Sequence, residues 1–273
     1  MADFIDINDI EFRYSGGGSN NNANFSLGGT RSVFVIGNGI NNLFDNVNES
    51  QSEDGHVDFR CFYLINTSIT NTLFSTTAWI TNVTGGSTVE FGIRVPATDL
   101  QQITVTGTTT GGSFILTHEG TNTTAIAWDT DAAVWAQNIE DGLNGISYLE
   151  GVNVIAAPSG GNTIFNVSFG GRYDQRSHDL LVVNSNDIIP ATSVSITKFT
   201  EGSPINTTAP AIATETTPPT LVGFSSPTEA SPLTIGTIRP SDLVPCWIKR
   251  TTLAGVDPKP SDGFGFRIVG EPF

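Results

Sequence analysis

The sequence predicts a mainly β protein: a discontinuous antiparallel β-sandwich with a small α+β domain inserted in one of its loops. Three observations carry this. Short runs rich in Val, Ile, Phe, Tyr and Thr recur along most of the chain, bounded by Gly, Asn, Ser and Pro, as strands and turns require. One stretch breaks the pattern, since in IAWDTDAAVWAQNIEDGL the apolar residues Ala132, Trp135, Ala136, Ile139 and Leu143 fall at helical spacing. After about a hundred residues of this different character the first pattern resumes, and a hundred residues is a normal domain size.

The N-terminal elements come first. IEFRY (Ile10 to Tyr14) and SVFVI (Ser32 to Ile36) read as strands on either side of a Gly/Asn-rich loop. HVDFRCFYLINTS sets Val57, Phe59, Cys61 and Tyr63 on one face and Phe62 and Leu64 on the other. A strand apolar on both faces belongs in the middle of a sheet. LFSTTAWI (Leu73 to Ile80) and STVEFGIRV (Ser87 to Val95) follow, separated by the turn signal TGG.

The character changes after Pro96. ITVTG and SFILT flank a Gly-rich segment and predict a hairpin, with AIAW a further short strand. Asp129 or Thr130 is positioned to cap the helix, with Asp131 in its first turn, where the helix dipole favours negative charge. VNVIAA, TIFNVSF, DLLVV and VSITKF complete the second set of strands. Beyond Thr200, a Pro/Thr-rich stretch suits edge strands and loops, because proline cannot donate to a ladder. LTIGTI, PCWIKRT and GFGFRIVG then close the outer domain, the last alternating Phe264, Phe266 and Ile268 against Gly265, Arg267 and Val269. The C-terminal segment has too few strands for a sandwich of its own and Met1 to Pro96 alone would leave open edges, so residues 1-96 and 203-273 are expected to form one sandwich, of jelly-roll or immunoglobulin-like type, and 97-202 the inserted domain.

Composition limits function. A 38% hydrophobic fraction with 17 Phe and 4 Trp supports a real core in 273 residues. The formal net charge of -15 repels phosphate backbones, which argues against nucleic-acid binding. The beginning MADFIDINDIEF lacks a basic region followed by an apolar one, and no apolar run approaches the roughly 20 residues of a membrane span, so a soluble protein made in a cytoplasm is expected. Two cysteines, Cys61 and Cys246, sit in apolar runs and read as buried free thiols; the sequence leaves open whether they meet.

Catalytic motifs are missing from the sequence. His56, His118 and His178 show no metal-ligand spacing with one another or with cysteine, so no metal or cofactor site is expected. There is no nucleophile elbow, Walker loop or dinucleotide fingerprint, and the GGGSNNN run lacks the Lys-Ser/Thr that would cradle phosphate. The acidic stretches SEDGHVD (Ser52 to Asp58) and WDTD (Trp128 to Asp131) lack the ligand spacing of a calcium loop and read as a solvated turn and a helix N-terminus. Trp79, Trp135 and Trp247 read as core. The most concentrated mixed-polar site is Arg176, His178 and Asp179, in the loop Arg172 to Leu181. Together with Gly16 to Asn24 that loop is a candidate contact surface, since binding is commonly carried by loops on a rigid scaffold.

The segment from QQITVTGTTTGGSFILTHEG through AIAWDTDAAVWAQNIEDGLNGI to VNVIAA and TIFNVSFGG resembles a module of bacteriophage structural proteins and large bacterial surface proteins, over roughly Leu100 to Gly202. It departs from that module at RYDQRSHDLL, which is more polar. The flanks DIEFRYSGG, NNLFDNVNESQSEDGHVDFRCFYLINTS and PCWIKRTTLAGVDPKPSDGFGFRIVGEP resemble tailed-phage virion structural proteins. The resemblance implies a non-enzymatic component of the virion exterior, a capsid decoration or a neck- or tail-attached protein, assembled in the host cytoplasm. Its implied partners are other capsid or tail proteins and further copies of itself, a trimer first. The alternative from another class is a receptor- or carbohydrate-binding module of a phage tail or bacterial surface protein, whose partner is a host-surface glycan.

Overall fold

The computed structural model describes residues 9–37, 42–83, 85–157, 160–171, 174–257 and 263–272. The fold is mainly β, with several antiparallel sheets and one substantial helix. The chain divides into two compact units, Met1–Val95 with Pro204–Phe273, and Pro96–Ser203. In chain order the first unit begins with β1 (Ile10–Tyr14), the short helix α1 (Glu49–Asp54), β2 (His56–Asn66), β3 (Leu73–Val83) and β4 (Ser87–Arg94). The second contains β5 (Leu100–Val105), β6 (Ser113–His118), β7 (Thr121–Asn122), β8 (Ile126–Ala127), α2 (Ala132–Asn144), β9 (Asn153–Ala156), β10 (Thr163–Ser168), β11 (Val182–Asn186) and β12 (Val194–Thr200). The first is completed by β13 (Val222–Ser225), β14 (Leu233–Ile238), β15 (Leu243–Thr252) and β16 (Phe264–Pro272).

In the first unit a sheet ordered β1-β2-β15-β4-β13 faces a smaller one ordered β14-β3-β16. β2 lies between β1 and β15 and is buried on both faces, as its double apolar pattern requires. One face contributes Phe62 and Leu64 to a core shared with Val244, Cys246 and Ile248 of β15 and Phe266 and Ile268 of β16. The Phe266 ring meets Phe62 at 5.7 Å, Phe12 at 5.9 Å and Phe91 at 4.8 Å, so one C-terminal aromatic ties together three strands of the opposite sheet. The other face of β2 carries Phe59, Cys61 and Tyr63, which pack with Trp247 and with Ala209 and Ile212 of the Pro/Thr-rich stretch. The Tyr63 hydroxyl donates to the Gly29 carbonyl (2.5 Å) and accepts from the Ala209 N–H (2.9 Å), fastening two loops over that face.

The second unit has its own core between the sheet β12-β5-β10-β9 and the sheet β11-β6-β7, with β8 beside β6. Helix α2 packs on β8 and β9. Trp135 is 1% exposed, with its ring 6.2 Å from Phe114 of β6 and 5.0 Å from Phe165 of β10, so this residue joins both sheets to the helix. Burying a large aromatic this way is a major part of a small domain's hydrophobic stabilisation. At the ends of the unit, Ala97 and Ser203 exchange backbone hydrogen bonds (3.4 and 3.0 Å). Asp99, fully buried, reinforces the closure: its Oδ2 accepts from the His178 and Gly202 N–H groups at 3.1 and 3.2 Å and lies 3.1 Å from Lys198 Nζ.

Several sequence expectations are corrected. SVFVI forms no strand: it runs beside β1 through Ser32 N–H to Tyr14 O and Ile36 N–H to Phe12 O, with Val33, Phe34 and Val35 exposed. β5 and β6 form no hairpin, since they belong to different sheets, and the Gly-rich segment carries the chain from one to the other. Gly112 in that segment has φ +97°, and a Cβ there would stand 2.1 Å from the Asp187 carbonyl oxygen, so the crossing needs glycine. The Gly85–Gly86 turn likewise separates strands of opposite sheets, β3 and β4. The cap of α2 is Asp131, whose side chain accepts from the Ala133 N–H, while Asp129 accepts from Asp131 N–H just before it. Part of the predicted solvated turn Ser52 to Asp58 is α1, started by a capping box between Asn48 and Gln51.

Candidate functional site

Among the described residues, three places where polar side chains converge bear on function. The first is in the sandwich, where alternation puts His56, Asp58 and Arg60 on one face of β2 and the register sets Arg250 of β15 opposite Asp58. Arg250 donates to Asp58 Oδ2 from Nη2 (2.7 Å) and Nε (3.2 Å) and to the Asp45 carbonyl from Nη1 (2.9 Å). Its guanidinium stands 4.6 Å from the Phe44 ring centroid, and that of Arg60 5.6 Å from it, with Arg60 in turn paired to Glu215. His56 Nε2 lies 2.8 Å from Asp58 Oδ1. Asp58 is therefore no part of the solvated turn that the sequence suggests: it is buried, and both acids of this cluster face guanidinium groups that compensate their charge.

The second place is in the inserted unit. β6 and β7 are joined by the two-residue turn Glu119-Gly120, both with positive φ (45° and 80°), the geometry that matches strand twist in a tight hairpin. The turn puts the Glu119 carboxylate next to His118 at the end of β6, with Glu119 Oε1 4.0 Å from His118 Nε2. His178 arrives from the segment before β11, stacked on Phe169 at 4.3 Å with rings 17° apart. The two imidazole centroids are 5.3 Å apart, and one ligand atom from each of His118, Glu119 and His178 lies within 4.8 Å of the others. The Tyr148 hydroxyl donates to the His118 carbonyl (2.6 Å) and sits 3.3 Å from His118 Nδ1.

Sequence spacing does not pair these histidines, because some 60 residues separate them and only the meeting of the β6 end with the segment before β11 brings them together. The loop that carries His178 also departs from its sequence reading. Arg176 and His178 are 1% and 2% exposed, so they are interior groups and not a contact surface, while Arg172 lies outside the described residues. Asp179 remains on the outside, its backbone carbonyl accepting from Gln101 Nε2 at 2.9 Å.

The third place is a cleft of about 370 Å³ at the N-terminal end of α2, bounded by Gly107, Thr109, Trp128, Asp129, Gly160 and Asn162 among others. The Trp128 indole N–H donates to Thr109 Oγ1 (2.6 Å) and Asn162 Oδ1 accepts from Gly107 N–H (3.2 Å), which fixes two of the bounding loops. Trp135 also lines this cleft, and its indole nitrogen is buried with no acceptor among the described residues. Trp79, Trp135 and Trp247 pack inward, whereas Trp128 is only half-buried.

Cys61 and Cys246 occupy neighbouring strands but opposite faces: Cys61 is level with Trp247 and Cys246 with Phe62, so the two thiols cannot bond across the sheet. Burial pushes both thiols up from their ordinary pKa, which holds them in the unreactive protonated form. Among the described residues no helix is long and apolar enough to cross a membrane. No family model matches the chain, and neither does any curated protein.

Proposed function

We propose that the protein is a non-enzymatic structural component of a tailed-phage virion exterior, a capsid decoration or a neck- or tail-attached protein. The observation that carries this reading is the construction of the chain: a two-sheet scaffold whose polypeptide leaves at Val95 and returns at Pro204 for a second unit with a separate core, closed at its base by the Ala97–Ser203 hydrogen bonds. Grafting a self-contained unit into a scaffold loop is a general way to present a surface without disturbing the parts that anchor it. The sequence resemblance of both parts to phage structural proteins points the same way, and the charge of -15 favours solubility and exclusion from packaged nucleic acid. Virion components act in symmetric copies, so self-association is part of the proposal, as a trimer first. Mass spectrometry of purified particles tests it: the protein should be present in many copies per particle, and absence from particles would refute the reading.

A second reading, a module that binds host-surface glycan, is favoured by the cleft beside α2. A half-buried Trp128 with threonine, asparagine and aspartate around it offers the mixture of one aromatic face and several hydrogen-bonding groups that small polar ligands use. Saturable binding on a glycan array, lost in Trp128→Ala, supports that module; no saturable binding leaves the structural reading alone.

A further inference from the structure

We infer that the cleft beside α2 binds a neutral N-acetylated sugar unit, whose acetamido carbonyl accepts from the indole N–H of Trp135. This rests on the glycan-binding reading of the cleft and gives that reading a ligand class. Trp135 decides the class. It borders the cleft and is 1% exposed, and its ring meets the buried rings of Phe114 and Phe165 at 6.2 and 5.0 Å. Its indole nitrogen is buried, and no acceptor meets it among the described residues. A buried donor without an acceptor is costly, and a ligand oxygen seated against it removes that cost on binding.

The surroundings of that nitrogen select the acceptor. A hydroxyl placed there would bring a proton of its own into the neighbourhood of two phenylalanine rings, which offer it no lone pair. A carbonyl oxygen has only lone pairs to satisfy, and a methyl group beside it gains from apolar neighbours; an acetamido group carries both. Space is available. At about 370 Å³ the cleft falls in the range of small-molecule sites, about 300–1,000 Å³. Gly160 and Gly161 form part of its wall, and a Cβ at either would meet nothing within 4 Å, so that side is open to a ligand.

The rest of the cleft suits the sugar ring. Trp128 is half-buried and its N–H is tied to Thr109 Oγ1 at 2.6 Å, so its ring is a fixed wall for the C–H face of a sugar. Asn162 Oδ1 accepts from the Gly107 N–H, which leaves the amide NH2 to donate, and Asp129 Oδ1 accepts from the Asp131 N–H, which leaves Oδ2 to accept. A sugar hydroxyl does both, so a donor and an acceptor lining one cleft match it. Charge narrows the class further. Asp129 and Asp131 already stand at the N-terminal end of α2, where they answer the helix dipole and repel uronic acids and phosphorylated sugars.

The test titrates the full chain, labelled with nitrogen-15, with the methyl glycosides of N-acetylglucosamine and N-acetylgalactosamine, and with those of glucose, galactose and glucuronic acid. The four tryptophans give four indole N–H resonances, and replacing each in turn with Phe assigns them. At least one N-acetylated glycoside should bind saturably, about tenfold or more tighter than its hydroxyl counterpart, and should move the Trp135 resonance downfield. The glucuronide should not bind. Trp135→Phe keeps the ring and removes the N–H, so it should bring the N-acetylated glycoside down to its hydroxyl counterpart, and Trp128→Ala should abolish binding of both. Should Trp135→Phe fail to fold, the other three replacements still identify the Trp135 resonance in the parent chain. Saturable binding with no preference for the N-acetyl group, binding that leaves the Trp135 resonance in place, or equal binding of the glucuronide would overturn the inference and leave the glycan reading standing. No saturable binding of any of the five would overturn both.

Discussion

Both units bury charged groups against a partner, Asp58 against Arg250 in the sandwich and Asp99 against Lys198 in the inserted unit, yet their largest polar clusters have different neighbours. In the sandwich, Asp58 lies in the sheet with its charge met by Arg250, and Arg60 and Arg250 flank the ring of Phe44. In the inserted unit, two imidazoles share an aromatic cluster with Phe169 and Tyr148, with a carboxylate at its rim. Histidine and acid occur in both, so residue type alone does not tell the two clusters apart. Where guanidinium groups answer the acids, the cluster fastens neighbouring strands; in the inserted unit the imidazoles are held chiefly between aromatic rings.

This contrast fails first if the two cores are not separate. The residues packed around Trp135 all belong to the inserted unit, and those packed around Phe62 and Phe266 all belong to the sandwich. Trp135→Ala is therefore expected to destabilise the inserted unit by roughly 3–5 kcal/mol, the usual cost of removing a buried large aromatic. In differential scanning calorimetry its transition should fall by more than about 12 °C while that of the sandwich stays in place. Coupled movement of both transitions would erase the distinction.

A somewhat smaller effect is expected on the other side. Asp58→Ala leaves Arg250 buried without its carboxylate and should cost the sandwich about 3 kcal/mol, while Asp58→Leu combined with Arg250→Met should recover much of that loss. Urea denaturation of the parent and both variants checks it, and an equally large loss in the double variant would mean that the pair is stabilising in its own right.

The smallest effect is a dependence on alkaline pH that should distinguish the units. Burial raises the pKa of Cys61, Cys246 and Tyr63 in the folded sandwich above their unfolded values. As pH rises, the unfolded chain therefore loses these protons first and is favoured. The stabilisation they contribute is intact below the ordinary thiol pKa of about 8.5 and is lost progressively above it. The inserted unit contains no cysteine. Melting temperatures measured from pH 7 to about pH 10 should fall more steeply for the sandwich than for the inserted unit, and parallel slopes would contradict the assignment.

What the sequence made legible follows from local physics. The helix spacing around Trp135, the double-faced β2 and the Phe264, Phe266, Ile268 alternation each report burial by period alone, and each packs as its period demands. Strand partners were not legible. The glycines at 85–86 and 111–112 announce that the chain turns, but a turn residue does not say whether the next strand pairs with the last or crosses to the facing sheet. The polar loop around Arg176 and His178 misled for a related reason: polar residues predict exposure unless buried partners answer them, and those partners come from sites as distant as Asp99, which accepts from the His178 N–H. The pairing of His118 with His178 is long-range in the same sense, and no spacing rule reaches it.

If the sandwich is a complete scaffold carrying a separable unit, Pro96–Ser203 can be replaced with a short Gly/Ser bridge and the calorimetric transition of what remains recorded. One cooperative transition is expected, at the temperature of the sandwich in the parent chain. A chain that no longer unfolds cooperatively, or that melts many degrees lower, would contradict the separation by showing that the two units share one core.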